Sequence, residues 1–184
     1  MTAIWTPPIT WTASLVTVAQ FREQIRDNQE YLFDPANDSI DYDEGTDKTT
    51  TSASFQAVDT GGGTDLRLSA DTYGEDVAVS FHGFCSLINS GANAAGLYFN
   101  VIVDGSTQVL SDDGLQAAYG TSVAAAIYFP VSFRLVVPGL AAGTHTFDLQ
   151  WKVTASSGTS TGTLYAGAGT TRLDTRPQFD VRKA

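Results

Sequence analysis

Hydrophobic residues follow two periods along this chain, and the change falls near residue 48. Between Val18 and Phe33 there is neither glycine nor proline. Apolar residues stand at Val18, Phe21, Ile25 and Leu32, with Asn28 in the remaining place. Their gaps of 3, 4, 3 and 4 predict a helix with a heptad seam two repeats long. Arg22, Glu23, Gln24, Arg26, Asp27, Gln29 and Glu30 lie between them as a wet outer face. Thr17 and Gln20 have capping-box spacing, which sets the helix start, and Pro35 closes it.

From Thr49 onward the period is two. Leu97, Phe99, Val101 and Val103 alternate with Tyr98, Asn100 and Ile102, and Asp104-Gly105 follows as a hairpin turn. Phe147, Leu149, Trp151 and Val153 alternate with Thr146, Asp148, Gln150 and Lys152. Further strands are expected at 55–58, 66–70, 77–87, 109–110, 127–137, 163–166 and 178–182. Pro130 inside one of them predicts an edge strand or a break. Eight or so strands with turns at short intervals predict a mainly β fold, an antiparallel β-sandwich of jelly-roll type, behind a short N-terminal helical segment. The absence of a helix signal after residue 48 argues against βαβ architectures. The expected organisation is an arm and helix at 1–33, an acidic linker at 34–48 and the sandwich at 49–184.

Charge narrows the partners. The chain of 184 residues carries 20 acids and 10 Lys plus Arg, a formal net charge of −10. Residues 1–48 hold nine acids and three bases. No cluster of Lys and Arg could neutralise phosphates, so neither nucleic acid nor an anionic membrane is an expected partner. No run approaches the ~18 apolar residues of a membrane span. Met1–Pro8 lack the basic and apolar regions of a secretory signal. The single Cys85 offers no intrachain disulfide, so the core must hold without crosslinks.

Candidate chemistry is sparse, and no catalytic residue, metal site or cofactor is expected. His82 and His145 are the two histidines; they lie apart in sequence and lack both the H-E-x-x-H and G-x-S-x-G patterns. Cys85 sits in an apolar strand, where a thiol acts as a small hydrophobe. Six acids crowd residues 34–48, but Ser39-x-Asp41-x-Asp43-Glu44-Gly45 is out of frame for a calcium loop, so a solvated linker is expected. Gly61-Gly62-Gly63 has no following helix and lysine and reads as a turn.

The helix seam of Val18, Phe21, Ile25, Asn28 and Leu32 has two readings. It packs on its own domain, or it meets copies of itself, with Asn28 fixing register and oligomer state. Two heptads are too short to hold chains together unaided, so any oligomer rests mainly on the β-domain. Trp5 and Trp11 flank Pro7-Pro8 on the arm; they either anchor it in a neighbour's pocket or fold back on their own domain.

The segment Trp11-x-x-x-x-Val16-Thr17-x-Ala19-x-Phe21-x-x-x-Ile25-Arg26-Asp27-Asn28 resembles the start of many tailed-bacteriophage virion proteins of the minor tail, fibre-head or capsid-associated type. Ser14, Val18 and Arg22 stand where that pattern commonly has Gly, Ala and Asn. Downstream, Gly139 to Trp151 resembles the Gly-x-His-Thr strand element of phage jelly rolls and of complement- and tumour-necrosis-factor-type trimeric sandwiches. The resemblance implies a virion structural protein, a homotrimer whose N-terminal segment docks on other virion proteins. Two other classes remain open: a module binding a host glycan or surface protein, and a glycan hydrolase or esterase.

Overall fold

A computed structural model describes residues 17–33, 37–41, 46–58, 66–91, 93–111, 113–120, 125–166 and 176–184. Helix α1 (Val18–Phe33) has the bounds that the glycine-free seam predicts. Its first turn closes as a capping box. The Gln20 amide donates to Thr17 Oγ1 at 3.2 Å, and the Thr17 amide donates back to Gln20 Oε1 at 3.1 Å. Two amides that the helix geometry leaves orphaned are thereby satisfied.

The remaining elements are strands: β1 (Asn37–Asp41), β2 (Lys48–Thr50), β3 (Gln56–Ala57), β4 (Arg67–Tyr73), β5 (Val77–Asn89) and β6 (Ala95–Val103), then β7 (Thr107–Gln108), β8 (Leu115–Gly120), β9 (Ile127–Val137), β10 (Ala142–Ala155), β11 (Ser160–Tyr165) and β12 (Gln178–Lys183). Every pairing among them is antiparallel. In the first sheet β5 pairs with β9 along one edge. Along its other edge it pairs with β12 and then β11, which lie end to end. Beyond them come β1 and β2, also end to end. The second sheet is built the same way: β10 lies between β6 and the pair β4 and β3, and β6 carries β7 and β8 on its far side. Counting end-to-end pieces as one position leaves eight positions in chain order. The first sheet runs 1-8-3-6 and the second 2-7-4-5, which is the jelly-roll order.

Period-two alternation explains the core. In β4 the residues alternate exposed and buried, placing Leu68 and Ala70 inward. Rings from both sheets meet between the layers: Phe81 lies 5.3 Å from Phe99 and 5.6 Å from Phe133, and Phe99 lies 6.2 Å from Trp151. The turn at Asp104-Gly105 has φ of +52° and +69°; the Ser106 amide donates to the Val103 carbonyl at 3.2 Å, and Thr107 then pairs with Val103.

Two sequence expectations are corrected, and one strand is added to them. The acidic linker expected at 34–48 contains a strand: β1 pairs with β12 through five register positions, and Asp38 Oδ2 accepts the Ser69 amide of β4 at 3.1 Å. The sandwich therefore begins at Asn37 and not at Thr49. The strand expected at 109–110 lies at 107–108 instead. Strand β8, unmarked by any alternation in Leu-Gln-Ala-Ala-Tyr-Gly, is supplied by pairing with β6. The edge position expected from Pro130 is found, since β9 pairs with β5 alone among the described residues.

Candidate functional site

The helix presents its seam to solvent. Val18, Phe21 and Ile25 are 68%, 53% and 43% exposed. An apolar stripe on a capped helix that stays this exposed among the described residues is an unmet surface. Asn28 and Leu32 lie on the same helix, but their side chains are outside the described residues, as are Trp5 and Trp11 altogether. No described helix is long and apolar enough to cross a membrane.

The histidines are held by different strands in different sheets. His82 on β5 is exposed, with Nδ1 3.0 Å from Ser132 Oγ of β9. His145 on β10 has Nδ1 2.7 Å from Asp104 Oδ2 and Nε2 3.0 Å from the Ala141 carbonyl. His82 thus meets a hydroxyl and His145 a carboxylate, and no described histidine meets both, which the acid–base–nucleophile geometry requires. Asp104 also accepts the Thr146 amide at 2.9 Å, and this bond is the main reason its carboxyl titrates below the usual range. Partial burial is the largest single influence on His145 and disfavours its charge. The bonds to Asp104 and Ala141 together outweigh it, so its pKa is raised. The pair clasps the β6–β7 turn to the start of β10. The sequence offered the residues, but their 41-residue separation hid the contact.

Cys85 is fully buried in the core, and burial pushes its thiol pKa up, away from reactivity. Among the described residues no group of three His, Cys, Asp or Glu could hold a metal ion. Two acids of the 34–48 stretch serve the fold: Asp38 binds β4, and Asp47 accepts the Ala166 amide at 3.0 Å.

Fold and surface together define a jelly roll that carries a capped, solvent-facing amphipathic helix at its N-terminus. No family model and no curated protein matches the sequence. Among solved structures, T=1 particles derived from infectious bursal virus align over 82% of this chain and 36% of theirs, at 16% identity and a TM-score of 0.36. The VP2 subviral particle of infectious bursal disease virus aligns over 82% and 37%, at 13% identity and a TM-score of 0.35. The chain spans little more than a third of the length of these structures. A likeness this loose adds nothing to the topology read from the strand pairings.

Proposed function

We propose that this chain is a structural protein of a bacteriophage particle, a homotrimer that docks on other virion proteins through residues 1–33. The observation that carries the proposal is the exposed stripe of Val18, Phe21 and Ile25 on a helix whose start is fixed by its own capping box. A single chain gains nothing from exposing such a stripe, whereas an assembly buries it. The resemblance of residues 11–28 to the first segment of phage virion proteins points to the same role. The protein acts by assembly and not by catalysis, and its partners are copies of itself and neighbouring virion proteins. A net charge of −10 keeps it from the nucleic acid that such particles carry.

The test is deletion of residues 1–33. All twelve described strands lie beyond the cut, so the sandwich should remain folded by circular dichroism. The truncated chain should be missing from purified particles. Normal incorporation would overturn the docking role.

A further inference from the structure

The outer faces of the two sheets differ. Chain segments outside the sheet and a paired cation dress the second sheet's face. Asn100 of β6, outward by the period but fully buried, binds the Leu110 backbone with both its amide nitrogen and its oxygen. The Lys152 ammonium sits 4.5 Å from the Phe55 ring and 5.5 Å from the Tyr98 ring. Arg67 of β4 pairs with Asp148 of β10.

The first sheet's outer face carries aromatic side chains in the open. Phe84 of β5 stands opposite Pro130 of β9 on one side and Tyr165 of β11 on the other. Tyr128 of β9 stacks on Tyr165 at 6.0 Å and 30°, and Phe84 lies 6.3 Å from Tyr165. The Tyr165 hydroxyl is 3.0 Å from Ser86 Oγ, a buried group that holds the ring in place. Tyr128 remains 57% exposed and Ile88, further along β5, 36%. The solvent face of an antiparallel sheet is ordinarily polar, and a contiguous apolar patch there marks an interaction surface. Rings already held in position lose little entropy when covered.

We infer that copies of this chain meet through this face, around Phe84, Tyr128, Pro130 and Tyr165. Charge selects the occupant. Each copy carries a net −10, so copies repel over most of their surfaces. Yet no Asp, Glu, Lys or Arg occupies an outward position of β5 from 82 to 88, of β9 from 128 to 132 or of β11 from 161 to 165. Asp47, which bears on Tyr165, and Arg134, the next outward position of β9 beyond Ser132, stand at the border. A charged partner would find no counter-charge here, while a second copy brings the same neutral apolar surface. Pro130 lacks an amide proton, and its place in edge strand β9 works against strand-to-strand addition, so the sheet faces of the copies, and not their edges, converge about a common axis. The inference rests on the assembly reading above, and it supplies the β-domain contact that a two-heptad helix cannot provide.

The test is sedimentation velocity of the full chain at micromolar concentration, for the wild type, Tyr128→Glu and Ile88→Glu. Both substituted side chains are exposed, so far-UV circular dichroism should be unchanged. The wild type should sediment as an oligomer. Each variant should shift to single chains, through a weakening of at least ~100-fold from like charges brought together. Variants that sediment like the wild type would overturn this face while leaving the oligomer standing. A wild type that sediments as a single chain would overturn both. Loss of host-surface binding by Tyr128→Glu with the oligomer intact would make the face a ligand platform and would also overturn the inference.

Discussion

His145 shows how much a single side chain carries without any chemistry of its own. Its two ring nitrogens face two acceptors, the Asp104 carboxylate and the Ala141 carbonyl, and only the imidazolium can donate to both. Its pKa is raised from 6.5, so its contribution is fully present below that value and fades as pH rises through the folded-state value. Asp104 is lowered from 3.8, so its part is present above 3.8 and fades as pH falls through the depressed value. Melting temperature should therefore fall as pH rises from about 6 to about 8, and His145→Gln should flatten that dependence; an unchanged slope in the variant would remove the clasp from the account. In the core, Trp151 is fully buried against Phe99. Trp151→Ala should cost ~3–5 kcal/mol, read as a lower urea midpoint. Trp151 was legible as core from the alternation around it, whereas the role of His145 depends on a partner that only the fold brings near. Asn100 was legible only as a polar outward position; its burial comes from the Leu110 backbone that folds over it.

Among the elements, legibility followed periodicity. Helix α1 and strands β6 and β10 each carry a full apolar repeat, and each lies where that repeat places it. Strands β1, Asn-Asp-Ser-Ile-Asp, and β8, Leu-Gln-Ala-Ala-Tyr-Gly, carry none. Their conformation is imposed from outside, by β12 and β6 respectively. Acidic composition suggested solvated chain at 34–48, but Ile40 packs on the core, and Asp38 ties β1 to β4 across the two sheets. Two truncations separate these readings. Removal of residues 1–33 should leave stability nearly unchanged, since the helix packs little of its apolar stripe on anything described. Removal of residues 1–47 takes β1 and its bonds as well, and should cost on the order of 2–4 kcal/mol in urea unfolding. Equal stability of the two would return residues 37–41 to the linker.

For the whole molecule, jelly-roll class could be anticipated from strand number and turn spacing, but the order of the strands could not, because pairing between distant segments leaves no local mark. The two proposed assembly surfaces divide in the same way. The helix stripe is a local repeat and was visible as one. The aromatic face gathers Phe84, Tyr128 and Tyr165 from three strands, and in a near-continuous apolar run such as Val77–Leu87 nothing local separates inward from outward. In the proposed role the N-terminal segment docks, the sandwich meets its copies and the acidic surface stays clear of nucleic acid, as a virion component requires. Electron cryo-microscopy of particles carrying this protein tests that description most directly. The account predicts three jelly rolls about a three-fold axis, with residues 1–33 of each against the particle body. Particles that lack the protein, or that hold single jelly rolls with the N-terminal segment away from the particle, would contradict it.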